Sequence, residues 1–180
     1  VLCKPLRREE AAVKFTVRHV FNTDVDTYWN QIFFNPEYNE RLYKQALGFK
    51  DFQILELTGE PGQRRTRKMR TEPKAEAPAV VKKLIGDSLS YTETGSLDPA
   101  TKIWTYAIQT SKLSDKVHIG GRLWAESRGD KKLERIAEIE IEVKIFGVGG
   151  VVEKFIESTT RESYENATRF TNQFIAEKGL

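Results

Sequence analysis

The sequence predicts an α+β domain: a seven-stranded antiparallel sheet curved around one long C-terminal helix, with two short helices after the first strand. Three observations carry this reading. Apolar and polar residues alternate over 14–21 and again over 133–146, the period of two expected of half-buried strands. Hairpin-type turns, Asp98-Pro99-Ala100-Thr101 and Arg128-Gly129-Asp130, separate successive extended runs. From Gly149 to Glu177 a single apolar stripe repeats with helical period, which makes one helix of roughly 40 Å.

Residues 1–13 carry Lys4, Arg7, Arg8, Glu9 and Glu10 with few apolar anchors and read as a flexible lead-in to a single domain over 14–178. In the first strand Phe15, Val17, His19 and Phe21 share one face. Asn22-Thr23-Asp24 ends it and offers a helix N-cap. Val25, Tyr28, Trp29, Ile32 and Phe33 then fall at helical spacing, and Asn35-Pro36 breaks the helix. Tyr38, Leu42 and Tyr43 belong to a second helix, stopped by Gly48. Strands follow at 49–58 (Phe52, Ile54, Leu57) and at 64–71, the latter strongly basic. Pro73 and Pro78 bracket a polar loop, and Ala79 to Ile85 forms a short helix closed by Gly86. Four more extended runs lie at 89–97, 102–109, 117–126 and 133–146.

Seven antiparallel strands must twist and curl. The concave face then needs cover, and only the C-terminal helix is long enough to give it. The last strand shows which side is which: Ala137, Ile139, Ile141, Val143 and Ile145 point toward the helix, while Glu138, Glu140, Glu142 and Lys144 point toward water.

Composition narrows the function. The chain has 180 residues, one Cys and two His, which excludes a disulfide framework and a Cys-rich zinc site. No metal and no cofactor is indicated. A net charge of +3 is too small to imply a nucleic-acid partner. No apolar run approaches the ~20 residues of a membrane span, and no secretory leader core is visible. The expectation is a cytoplasmic monomer, with peripheral contact to a membrane as its one membrane role.

The sequence also resembles a known superfamily. The residues that carry the likeness are Phe21-Asn22-Thr23-Asp24-Val25-Asp26-Thr27-Tyr28-Trp29, Phe33-Phe34-Asn35-Pro36-Glu37-Tyr38-Asn39, Glu72-Pro73-Lys74, Lys82-Lys83-Leu84-Ile85-Gly86, and the run from Lys144 through Gly147-Val148-Gly149-Gly150 to Glu157. Over about residues 14 to 177 the chain is similar to START-like (SRPBCC) domains, and more narrowly to a bacterial START-like family of unknown function. The final segment is distantly similar to sterol-transfer domains of the VASt (Aster) type. The resemblance implies a helix-grip fold. It leaves the ligand open, because the superfamily holds lipid carriers, polyketide cyclases, hydroxylase subunits and chaperone activators.

A sheet curled around one helix encloses a cavity unless large side chains fill it. Tyr91, Trp104, Tyr106, Leu123, Ile139, Ile141, Val143 and Phe155 are the candidate walls, and Gly120-Gly121 removes bulk beside them. The resulting expectation is the binding of a hydrophobic small molecule, lipid or sterol-like, with transfer as a further role. The loop from Pro73 to Gly86 is long enough for a lid, in which Val80, Val81, Leu84 and Ile85 accompany Lys82 and Lys83, a mixture that suits a membrane surface. Two other classes stay open. A polyketide cyclase/aromatase-like enzyme would draw acid–base groups from His19, Tyr91, Glu93 and Tyr106. A protein-interaction module would have no open cavity.

Several polar residues carry two readings each. In the basic strand Arg67 and Met69 share a face with Arg65. Arg67 either pairs with Glu93, because a buried charge needs a partner, or helps form an anionic headgroup site. His19 is either a satisfied core residue or a contact to a polar ligand group. Thr159, with Ser158, Thr160 and Ser163, interrupts the stripe of the long helix; these hydroxyls either bond back to the helix or meet a ligand. Gly147-Val148-Gly149-Gly150 is either a sharp turn or an anion site. The glutamate row is either a set of cross-strand ion pairs or a metal site.

Overall fold

The computed structural model describes residues 12–74, 76–86 and 88–180. The lead-in up to residue 11 lies outside the described residues. Strand β1 (Val13–Phe21) is followed by α1 (Val25–Thr27), which continues as a π-helical segment Tyr28–Phe33, and by α2 (Pro36–Arg41), which continues as a second π-helical segment Leu42–Ala46. Then come β2 (Asp51–Thr58), β3 (Arg65–Glu72), α3 (Ala79–Ile85), β4 (Tyr91–Leu97), β5 (Trp104–Thr110), β6 (Val117–Ser127), β7 (Leu133–Val143) and α4 (Gly149–Lys178). The seven strands form one antiparallel sheet in the order β1-β7-β6-β5-β4-β3-β2. This is the helix-grip arrangement expected from the sequence.

Local chemistry sets the joints. Asp24 caps α1, its Oδ1 accepting from Thr27 N at 2.8 Å, and Asn35 caps α2 by accepting from Tyr38 N at 3.1 Å, with Pro36 in the first turn. The spacing of Phe52, Ile54 and Leu57 has its cause in a β-bulge: Ile54 opposes Met69 and Glu56 opposes Lys68, so Leu55 is an extra residue turned out to solvent. β7 stops at Val143 rather than Phe146, because its partner β6 begins at Val117, directly opposite Val143. β4 begins at Tyr91, two residues later than the sequence pattern implies.

The alternation of β1 and β7 holds as read. Phe15, Val17, His19 and Phe21 are buried, as are Ala137, Ile139, Ile141 and Val143. Two of the outward glutamates are ion-paired across strands, Glu140 with Lys14 at 3.2 Å and Glu138 with Arg122, and Glu142 pairs along the chain with Lys144 at 3.1 Å.

Helix α4 is held at both ends. At its start Gly149, Val152 and Glu153 are buried, and the Glu153 carboxylate accepts from Val143 N at 2.8 Å. At its far end Ala167, Phe170, Thr171, Phe174 and Ile175 are buried. There Tyr38 Oη bonds Thr171 Oγ1 at 2.7 Å, and Arg41 makes a two-pronged pair with Glu177 at 2.8 and 2.7 Å. In the described structure no residue from Lys154 to Asn166 is buried. That middle span faces a hollow.

Candidate functional site

The hollow is a cavity of about 700 Å³ between the concave face of the sheet and the middle of α4. Two glycines keep it open, each by letting an aromatic ring lie down on the sheet. A Cβ at Gly95 would stand 2.1 Å from Trp104 Cζ2, and one at Gly121 would stand 2.9 Å from Tyr106 Oη and 2.3 Å from the carbonyl oxygen of Glu138. The space above Gly121 is therefore occupied by the Tyr106 phenol, not left empty as the sequence alone implies, and Gly120 packs against the backbone of Tyr106.

Nine of the thirteen residues named from sequence line this cavity: Arg67, Tyr91, Glu93, Trp104, Tyr106, Leu123, Ile139, Phe155 and Thr159. Four do not. His19 is inward but engaged on both ring nitrogens, with Glu165 Oε1 at 3.1 Å from Nε2 and Arg135 Nη2 at 3.2 Å from Nδ1. Arginine only donates, so Nδ1 accepts and Nε2–H donates to Glu165. Met69 is fully buried in register with Ile54 and Glu93. Ile141 and Val143 are buried but are not part of the lining, although their cross-strand partners Ile119 and Val117 are. In the lid, Val81, Lys82, Leu84 and Ile85 line the cavity while Val80 and Lys83 do not. Val81 is buried, and Val80, Leu84 and Ile85 pack on the core, so the apolar face of α3 turns inward, Lys83 turns out and Lys82 stands exposed at the rim.

The polar groups of the wall are concentrated. Arg67 Nη2 pairs with Glu93 Oε1 at 3.2 Å, while Nη1 donates to Phe33 O at 2.9 Å and to Asn39 Oδ1 at 3.0 Å. Its guanidinium stacks on Phe33, 4.5 Å from the ring centre. The pair thus also fastens the segment after β1 to the sheet. Burial pushes the Glu93 carboxyl above its usual range, and Arg67 draws it partly back. Burial likewise raises the phenols of Tyr43, Tyr91, Tyr106 and Tyr164, all of which line the cavity. They stay protonated near neutral pH and can donate or accept hydrogen bonds there.

Among the wall residues that the sequence reading did not name as site residues are Arg135, Tyr164 and Tyr43. Arg135 is on the inward face of β7, two and four residues before Ala137 and Ile139, so strand alternation places it there. It is held between Phe21 and Tyr164, 4.8 Å from each ring centre, and bonds Thr168 Oγ1 at 3.3 Å. Tyr164 lies one helical turn after Thr160 and one before Ala167, and Tyr43 stacks on Phe52 at 4.6 Å. Thr159 Oγ1 bonds back to the carbonyls of Phe155 and Ile156 at 3.0 and 3.1 Å, so its methyl and its helix face, not a free hydroxyl, border the cavity.

The exposed part of the lining marks the mouth. Lys74, Glu76, Lys82, Gly86 and Ser88 come from the β3–β4 connection, Lys112 from the β5–β6 connection, and Glu162 from α4. Among the described residues no cluster of three or more His, Cys, Asp or Glu is placed to hold a metal ion. No helix among them is long and apolar enough to cross a membrane.

Residues 16–175 match the model of a family described as "Protein of unknown function (DUF2505)". The chain belongs to this family. No curated protein matches the DUF2505 chain in sequence. Solved structures share its fold, the START-like helix-grip. The Zhui aromatase/cyclase from Streptomyces sp. R1128 superposes with a TM-score of 0.66 at 12% identity, covering 94% of this chain and 97% of the other. A START superfamily protein from Mycobacterium smegmatis gives 0.58 at 14% identity, covering 91% and 99%. Norcoclaurine synthase from Thalictrum flavum, in complex with dopamine and hydroxybenzaldehyde, gives 0.60 at 14% identity, covering 98% and 95%.

Proposed function

We propose that this DUF2505 protein binds a hydrophobic small molecule, lipid or sterol-like, between the sheet and α4, and passes it to and from a membrane. The observation that carries this reading is the cavity itself. Its volume, about 700 Å³, falls within the range of small-molecule sites. Leu123, Ile139, Phe155 and Trp104 give it apolar walls, and burial of a ligand there is worth about 25 cal/mol per Å² of apolar surface. The phenols and the Arg67–Glu93 pair fix orientation. Helix α3, with its apolar face on the cavity, Lys83 outward and Lys82 at the rim, serves as the lid and as a point of membrane contact.

A second reading has its own support. Glu93, Tyr43, Tyr91, Tyr106 and Tyr164 converge on one cavity, which is the set of groups an acid–base enzyme of the cyclase type would need, and the structural neighbours include an aromatase/cyclase. Native mass spectrometry of the purified protein, followed by solvent extraction, separates the two. A co-purifying lipid or sterol released intact supports the carrier. An oxygenated aromatic ligand supports the enzyme. A protein that carries nothing, and that takes up no fluorescent lipid on titration, removes both.

A further inference from the structure

We propose that the end of the domain bearing the cavity mouth docks on an anionic lipid bilayer, with Phe146 as the side chain that enters it. The purpose of this docking rests on the carrier reading above, but its evidence comes from different residues. Phe146 sits on the turn between β7 and α4 with a relative exposure of 103%, whereas the other large exposed apolar residues, Val20, Leu55 and Val151, are about half exposed. Single exposed apolar residues are ordinary. The setting of this one is not.

The turn is built to project it. Gly147 takes a positive φ of 79°, and Gly149 N donates to Ile145 O at 2.9 Å. Ile145 and Val148 are half-buried beneath the tip, so Phe146 alone is thrown outward. Val151, in the first turn of α4, adds a second exposed apolar side chain.

Around this tip the surface is basic. Lys144 N donates to Lys116 O at 2.8 Å, which sets the β5–β6 connection beside the tip. From that same connection the Lys112 ammonium reaches the carbonyls of Ile85 and Ser88, tying in the end of α3 with Lys82 and Lys83. Lys154 stands on α4 one turn after Val151. Lys82, Lys83, Lys116 and Lys154 are exposed and form no ion pair among the described residues. On the outer face of β1 and β6 the bases Lys14, Arg18 and Arg122 are paired with carboxylates, as is Arg128 on the turn after β6, while Lys68 on the outer face of β3 is exposed. Of the acids at this end, Glu142 is paired with Lys144, Glu157 with Arg161, and Glu153 is buried against Val143 N; Asp115 and the mouth residues Glu76 and Glu162 remain, outnumbered by Lys74, Lys82, Lys83, Lys112, Lys116 and Lys154.

An aromatic ring at the level of the headgroups, ringed by cations from four chain segments, matches the chemistry of an anionic bilayer. Each lysine near such a surface adds attraction that falls off within a Debye length. A protein partner would have to present acidic groups to all four segments at once. A bilayer does so without any matching shape, and it lies against the mouth lined by Lys112, Ile85 and Gly86. Cargo then crosses from bilayer to cavity without passing through water.

The test is sedimentation of the full chain with vesicles of phosphatidylcholine alone or mixed with phosphatidylserine. The protein should bind the anionic vesicles and be released by added salt. Phe146→Ser should weaken that binding by at least about tenfold, since a ring of this size no longer leaves water. Lys116→Glu with Lys154→Glu should do the same, and Leu55→Ser, at an exposed apolar site elsewhere, should not. All variants should still bind a fluorescent fatty acid in vesicle-free solution, which shows that fold and cavity are intact. If the unaltered protein binds neither vesicle, binds both equally, or loses nothing on Phe146→Ser, the proposal is overturned and a protein partner takes its place. Loss of fatty-acid binding in the unaltered protein would instead remove the carrier reading and leave the vesicle result to stand alone.

Discussion

The indole of Trp104 lies across the bare α-carbon of Gly95, with Cζ2, Cε2 and Cη2 all within 2.8 Å of where a Cβ would be. The ring is held from above by Phe33 and Phe34, whose centres are 5.2 and 5.6 Å away in edge-on contact. A methyl at Gly95 must move the ring toward the cavity. Gly95→Ala should cost about 1–3 kcal/mol and change the tryptophan emission. Thermal denaturation unchanged from the parent protein would show that the ring is not fixed as described.

The Arg67–Glu93 pair gives a pH-dependent outcome. The folded carboxyl titrates above its unfolded value of 4.5, chiefly through burial, so the folded state holds the proton more tightly. Stability contributed by Glu93 is therefore present in acid and falls as pH rises through the folded value. Removing Arg67 removes the group that draws this value down. Arg67→Met should cost about 3–5 kcal/mol near neutral pH, and clearly less in acid, where Glu93 takes up its proton. Denaturant titrations at two pH values measure this; an equal loss at both would mean that Glu93 is not the group left stranded.

Two substitutions with added bulk should behave oppositely. Thr159 borders the hollow, so Thr159→Phe should leave the fold stable and lower lipid-probe affinity by more than about tenfold. Ile141 is fully buried outside the hollow, so Ile141→Trp should destabilise by about 1–3 kcal/mol or more through overpacking. Fluorescent-probe titration and thermal melts distinguish them. Similar behaviour of the two would place the cavity wrongly.

Glu140→Gln should change stability by under ~1 kcal/mol, as for other exposed pairs, and leave probe binding untouched. Its partner Lys14 is 70% exposed and the carboxylate 54%. Abolished binding would contradict the assignment of the two sheet faces.

Most of the architecture was legible because strand alternation and helical stripes report which face of an element is covered. Ala79–Ile85 and the start of α4 at Gly149 emerge with the bounds the sequence implies. Alternation tells which face a residue takes and not whether its side chain reaches the cavity, so it groups Ile141 and Val143 with Ile139. It did place Arg135 inward, but a charge within an apolar stripe is readily passed over unless its aromatic neighbours are known, and Phe21 and Tyr164 come from distant parts of the chain. The π-helical winding of Tyr28–Phe33 left no mark in a pattern only a few residues long. The exposure of Phe146 depends on where β6 begins, which no local feature of β7 reveals.

Helix α4 resembles a beam resting on two supports, with only half-buried side chains such as Phe155, Ile156 and Tyr164 under its middle. The span from Lys154 to Asn166 holds no fully buried side chain, and burial of an apolar face is what stabilises most helices in proteins. Whatever fills the hollow completes that burial and becomes, in effect, the missing piece of the protein's interior. The empty chain is then the shorter-lived one. A cell that clears unfolded protein would hold this domain at a level that tracks its ligand, because a bound ligand adds stability in proportion to the logarithm of its concentration.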